Sequence, residues 1–187
     1  GHTLSGAGSG TSGAIVESIE TRKVCSRLTE MFKACSVEVV PCTIDKAVTQ
    51  KAYLQKVVEM ANRTDLDYFI SIHLNNDKAR KGHGVEAYTF QGRQYPDAIE
   101  VCEYIAALGF TNRGVKEGSG LYVIKKTKAK SMLIEVCFVN DPDAATYKLK
   151  FEQICTAIAY ALADYVQAAP KPVAPVQLPD KKKYVKV

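Results

Sequence analysis

Two histidines and two glutamates in this chain stand where a globular core does not ordinarily place them. His73 closes the run Tyr68-Phe69-Ile70-Ser71-Ile72-His73, a stretch rich in β-branched and aromatic residues and free of charge before the histidine. Glu135 interrupts Met132-Leu133-Ile134-Glu135-Val136-Cys137-Phe138, which is otherwise apolar. Burying an unpaired carboxylate costs several kcal/mol, so Glu135 must be paired, protonated or close to a metal. His2 lies in a loop punctuated by Gly1, Gly6, Gly8, Gly10 and Gly13, and Glu17 follows where a helical pattern begins. Two histidines and a glutamate, with a further glutamate left over, form the inventory of a catalytic zinc site. Such a site has three protein ligands, an open position for water and a general base beside it.

The elements that must position these groups can be read from periodicity. From about Ala14 apolar residues recur at three and four (Val24, Leu28, Met31 or Phe32, Cys35), which predicts a helix. Residues 37–40 read as a short strand stopped by Pro41, and 47–62 as a second helix. Residues 67–73 form a buried strand by composition, and 85–90 alternate like one. The segment 96–108 is helical, with Pro96 suited to its first turn. Residues 121–124 and 132–136 read as two more strands, 141–143 opens a short helical turn, and 151–166 is the last long helix. Alternating strands and helices predict an α/β fold: a three-layer sandwich with a central mixed, mostly parallel β-sheet flanked by helices.

Composition bounds the function. The chain has 187 residues, 47% of them apolar, enough for one domain with a real core. No apolar run approaches the ~18 residues that a membrane span needs. The formal charge is +5, yet five lysines (171, 181, 182, 183 and 186) face a single acid, Asp180, in residues 167–187. The rest is close to neutral, which argues against a folded nucleic-acid-binding surface. Six cysteines without a C-x-x-C pair read as small buried hydrophobes of a protein made in a reducing cytosol. Four prolines after Gln167 make an extended, semi-rigid spacer, so 1–166 is expected to be the domain and 167–187 a Pro/Lys-rich linker.

One decoy is set aside. Gly8-Ser9-Gly10-Thr11-Ser12-Gly13 is a literal G-x-G-x-x-G before a helix, but the dinucleotide motif needs a buried strand in front of it. Thr3-Leu4-Ser5-Gly6-Ala7 is not one, and a flexible loop facing the substrate accounts better for the glycines and serines. His83, in a polar loop, reads as a solvated histidine.

In order and spacing these segments resemble the zinc-dependent N-acetylmuramoyl-L-alanine amidases of the amidase-3 family, the catalytic domains of phage endolysins and bacterial cell-wall lytic enzymes. The resemblance rests on Gly1-His2, Glu17, Ser71-Ile72-His73-Leu74-Asn75 and Ile134-Glu135-Val136-Cys137-Phe138-Val139-Asn140. Gly84-Val85-Glu86-Ala87-Tyr88 and Arg113-Gly114, followed by Leu121-Tyr122-Val123-Ile124, add to it. Carried over by position, it implies that His2, Glu17 and His73 bind one zinc ion per chain. Glu20, a turn later, is the rival to Glu17, which keeps the family's Gly-x-x-x-Glu spacing from Gly13. The resemblance implies that Glu135 takes a proton from a zinc-activated water and returns it to the leaving amide nitrogen. Asn75 is implied as a substrate-binding or ligand-supporting group.

The implied substrate is peptidoglycan, cut between N-acetylmuramic acid and L-alanine, and the linker would lead towards a C-terminal wall-binding module. Synthesis in the cytoplasm and action on the cell wall, by release at lysis or by secretion with a leader upstream of Gly1, both fit. The alternatives are another zinc hydrolase, such as a peptidase or carbohydrate deacetylase, or a wall-binding or activator module without catalysis. The family's strand before Gly-His has no counterpart here, so one sheet edge is expected to be open. Lys130 stands where the family has proline.

Overall fold

A computed structural model of the chain describes residues 1–35 and 37–163. Four strands, β1 (Tyr68–Asn75), β2 (Val85–Thr89), β3 (Asn112–Glu117) and β4 (Lys130–Phe138), form one sheet in the order β1-β4-β2-β3. β1 and β4 run parallel, as do β2 and β3, whereas β2 and β4 are antiparallel. The sheet is therefore mixed and mostly parallel, as expected.

Alternation along the strands sends side chains to two separate cores. Tyr68, Ile72, Met132, Ile134 and Val136 face one layer, which holds α1 (Glu17–Ala34), α3 (Pro96–Ala106) and α6 (Phe151–Leu162). Phe69 and Leu133 face the other, which holds α2 (Gln50–Asn62) and α4 (Tyr122–Lys126). The short α5 (Asp143–Leu149) packs beside β4. β4 is the buried centre of this sandwich: Met132, Ile134, Val136 and Cys137 are all 0% exposed. Trimming Ile134 to alanine would cost about 2–5 kcal/mol, because close-packed neighbours collapse only partly around the gap.

Three expectations need correction. Residues 37–40 are not a strand; they and residues 41–43 face the outer edge of β1 across a cavity of about 530 Å³, so no partner backbone is within pairing distance. That edge of β1 is indeed open. Residues 121–124 are not a strand either: Leu121 caps α4, and Val123 and Ile124 bury into the α2 side. A short apolar run does not distinguish the two states, and here Lys125 and Lys126 suit the negative end of a helix. β3 escaped notice because it is a charged, half-exposed edge strand, the usual protection of a sheet edge.

Cys102, Cys137 and Cys155 are buried as expected, but Cys25, Cys35 and Cys42 are only half-buried, and all six are free thiols. Lys130 opens β4 and pairs with the buried Asp97 while lying over the Tyr68 and Tyr95 rings, 4.4 and 4.5 Å from their centroids. No helix among the described residues is long and apolar enough to cross a membrane. The linker expected over 167–187, with the end of the last helix, lies outside the described residues.

Candidate metal centre

Three elements bring three donors to one point. β1 carries His73 near its carboxyl end, on the α2 side of the sheet, where ligand sites of α/β folds gather. α1 begins at Glu17, which turns its carboxylate inward from the first turn and is 3% exposed. The glycine loop brings His2. Glu17 Oε1 lies 2.9 Å from His2 Nε2 and 3.2 Å from His73 Nδ1, and the two ring nitrogens are 3.1 Å apart. Among the described residues these three form a cluster able to hold a metal ion.

The donor set suits a zinc-sized cation. With bonds of about 2.0–2.1 Å, the ligand atoms of a tetrahedral zinc lie roughly 3.3 Å apart, close to the spacings found here. The outer nitrogens are committed: His2 Nδ1 is 2.8 Å from the Gly8 carbonyl and His73 Nε2 is 3.0 Å from Ser71 Oγ. Such partners hold the imidazole protons on the far side and leave lone pairs facing inward. Burial lowers His73 to about 4 although Glu17 opposes it, so its ring is neutral near pH 7. Burial would raise Glu17, but hydrogen bonding to His2 and His73 and their charge outweigh it and hold the carboxyl well below its usual range. Two inward lone pairs and a carboxylate oxygen repel one another unless a cation sits among them.

The glycine loop is more than a flexible rim. Thr11 N–H donates to Glu17 Oε2 at 3.0 Å and Leu74 N–H to Oε1 at 3.0 Å, so backbone fixes the carboxylate. Gly10, at φ +79°, passes so close that a Cβ would come within 2.5 Å of Glu17 Oε2 and 2.7 Å of the His2 ring. Only glycine combines that conformation with that approach. Glu20 is spent elsewhere, on Lys23 and the Tyr147 hydroxyl, so Glu17 alone of the two rivals reaches the centre. His83 is half-buried rather than solvated, with Nδ1 shut off from water and without a partner among the described residues.

Glu135 stands directly across the β1–β4 pair from His73, and the ladder slips one place immediately beyond them. Bulges of this kind commonly re-aim side chains beside active sites. Its Oε2 is buried without a partner among the described residues. Burial first, then the charges of Glu17 and Glu86, push its carboxyl up to about 8. His2, Glu17, His73 and Glu135 share a cleft of about 350 Å³ whose apolar wall is Tyr53, Leu54, Leu121 and Tyr122.

Asn75 also lines the cleft, but both ends of its amide are in use. Nδ2 donates to Glu86 Oε1 at 2.7 Å, and Oδ1 accepts from Asn76 N–H at 2.8 Å. Glu86 and Arg113 carried no assigned role in the sequence. Their only signal there was a carboxylate in an apolar alternating strand and an arginine two segments on. The fold joins them, with Arg113 Nε donating to Glu86 Oε2 at 2.7 Å.

Comparison with known proteins agrees with this architecture. Residues 1–168 match the family described as N-acetylmuramoyl-L-alanine amidase. The chain is 35% identical over 102 residues to the N-acetylmuramoyl-L-alanine amidase LytC of Bacillus subtilis, covering 52% of this chain and 20% of that protein. It is 30% identical over 125 residues to the N-acetylmuramoyl-L-alanine amidase CwlM of Bacillus licheniformis, covering 64% of this chain and 47% of that protein. The chain spans between 20% and 47% of the length of the curated relatives it matches. Among solved structures, the catalytic domain of the CD27L endolysin targeting Clostridia difficile superimposes with a TM-score of 0.77 at 24% identity, over 86% of this chain and 92% of that one. At that identity the likeness speaks for the fold. The family match runs through every element that builds the metal centre, and the chain belongs to the N-acetylmuramoyl-L-alanine amidase family.

Proposed function

We propose that this domain hydrolyses the amide bond between N-acetylmuramic acid and L-alanine in peptidoglycan, with one zinc ion held by His2, Glu17 and His73. The observation that carries the reading is the pairing of a three-donor cluster with a buried, unpartnered carboxylate oxygen on the adjacent strand. Bound zinc would supply Lewis acidity towards the amide carbonyl and make a water easier to deprotonate.

The protein's own groups supply the rest. Glu135 accepts the water's proton at Oε2 and delivers it to the departing nitrogen of alanine, which needs a carboxyl raised towards neutrality rather than a strong acid. Burial of the cleft provides that shift. Gly8 O and Ser71 Oγ hold the two imidazoles in orientation, and the N–H groups of Thr11 and Leu74 hold Glu17. Asn75, with both amide ends engaged, acts as a support for the wall of the cleft rather than as a free substrate contact. The place of action is the cell wall, and residues 1–166 are the catalytic domain.

Digestion of purified peptidoglycan tests the bond assignment. The reading predicts new L-alanine amino termini without new reducing ends. Reducing ends, or free amino groups on the sugars, would point instead to a glycosidase or a deacetylase.

A further inference from the structure

The side chain facing Glu135 from the other neighbouring strand has no part in the chemistry above. β2 runs antiparallel beside β4, and the register sets Glu86 directly opposite Glu135. Opposed residues of such a pair stand on one face with Cβ atoms about 4.5–5.5 Å apart. The two carboxylates therefore share a neighbourhood, but they do not share its donors. Glu86, 2% exposed, accepts from Asn75 Nδ2 at 2.7 Å, from the Tyr88 hydroxyl at 2.9 Å and from Arg113 Nε at 2.7 Å. Glu135 Oε2, equally shut off from water, accepts from none.

Arg113 lies on β3, two strands from Glu135 in the sheet order. Two interstrand steps are about 9–10 Å, a gap that an extended arginine and a glutamate close between them. An arginine released from Glu86 would therefore have Glu135 within reach. The resulting charge-assisted bond would weaken Glu135 as a base and turn it away from the cleft.

We propose that Glu86 is a positioning residue for the hydrolysis: by accepting from Arg113, Asn75 and Tyr88 it keeps these donors off Glu135, whose Oε2 stays free to face the reacting water. The inference rests on the assignment of Glu135 as proton carrier given above. Glu86 touches neither substrate nor metal. Its contribution is to occupy the donors that would otherwise neutralise its neighbour.

The test is a double-mutant cycle on the zinc-loaded protein with peptidoglycan as substrate, using E86Q, R113M and E86Q/R113M, with E135Q as reference. Zinc content and thermal midpoint are measured for each. The expected result is that E86Q lowers kcat by about tenfold or more, within the range a general base contributes, while KM and zinc content stay within about twofold. R113M alone keeps most of kcat, and E86Q/R113M recovers most of what E86Q lost, since the competing cation is gone. A crystal structure of metal-free E86Q should show the Arg113 guanidinium within hydrogen-bond distance of Glu135. If E86Q does not fold, E86D takes its place, with an intermediate loss that R113M again relieves.

Parental kcat in E86Q, losses that multiply in the double variant, or Arg113 still turned from Glu135 in the E86Q structure would overturn the proposal. Parental activity in E135Q would instead overturn the assignment of Glu135, a distinct failure.

Discussion

Glu135 faces His73 across one strand pair and Glu86 across the other, so a metal-side histidine and a fully partnered carboxylate flank one unpartnered carboxylate. This row runs across the sheet because β4 is inserted between a parallel and an antiparallel neighbour. It explains how a glutamate can persist at the centre of an apolar strand. Its surroundings hold it for chemistry rather than for stability, and several consequences can be measured.

Replacing Glu135 by glutamine should abolish most activity, by about a hundredfold to ten-thousandfold in kcat, with zinc content unchanged. Colorimetric detection of released alanine termini, alongside metal analysis, checks both halves of the statement.

The same substitution should stabilise the metal-free protein. Burial and the Glu17 and Glu86 charges raise the Glu135 carboxyl from 4.5 to about 8 in the fold. A carboxyl raised on folding binds more protons in the native than in the unfolded state between these values. Stability is therefore lost as pH climbs through that window, and the loss is complete above it. E135Q does not titrate, so its advantage should be small near pH 4 and reach a few kcal/mol above pH 8. Urea unfolding at the two pH values, after chelation, measures it; an equal difference at both would contradict the assignment of the shift.

Gly10→Ala should damage the metal centre while leaving every donor in place. The added methyl meets Glu17 Oε2 and the His2 ring, at a backbone angle that alanine rarely adopts. Disturbing the supports of a metal ligand typically costs ten- to a hundredfold in metal affinity, and a loss of about that size is expected from zinc competition titrations.

Zinc should raise the melting temperature of the parent protein but not that of His73→Ala. A ligand present at about a thousandfold over its dissociation constant adds roughly 4 kcal/mol of stability when it binds only the folded form. Thermal scans with chelator and with added zinc show the difference, and an equal response in both proteins would place the ion elsewhere.

The sequence disclosed the donors and the base because each broke a local pattern: a histidine ending an apolar run, a carboxylate inside another. Glu17 was separable from Glu20 only by spacing, and the fold shows why, since the first turn of α1 points at β1 while Glu20 turns towards Tyr147. What stayed hidden depends on pairing between distant segments. Glu86 and Arg113 acquire meaning only when β2 lies between β4 and β3. The charged pattern of β3 gave no hint that it is a strand. Residues 37–40 and 121–124 had the composition of strands but lacked, respectively, a partner backbone and a place in the sheet. The glycine loop read as a flexible rim because side-chain patterns do not reveal where backbone N–H and C=O groups are used.

The central claim is that one metal ion on His2, Glu17 and His73 drives amide hydrolysis, and a single titration tests it. Metal-stripped protein is reloaded with zinc in measured steps, and the release of L-alanine amino termini from peptidoglycan is followed at each step. The account predicts no activity at the start, a linear rise and a plateau at one zinc per chain. Full activity in the stripped protein, or a rise that continues to two ions per chain, would contradict it.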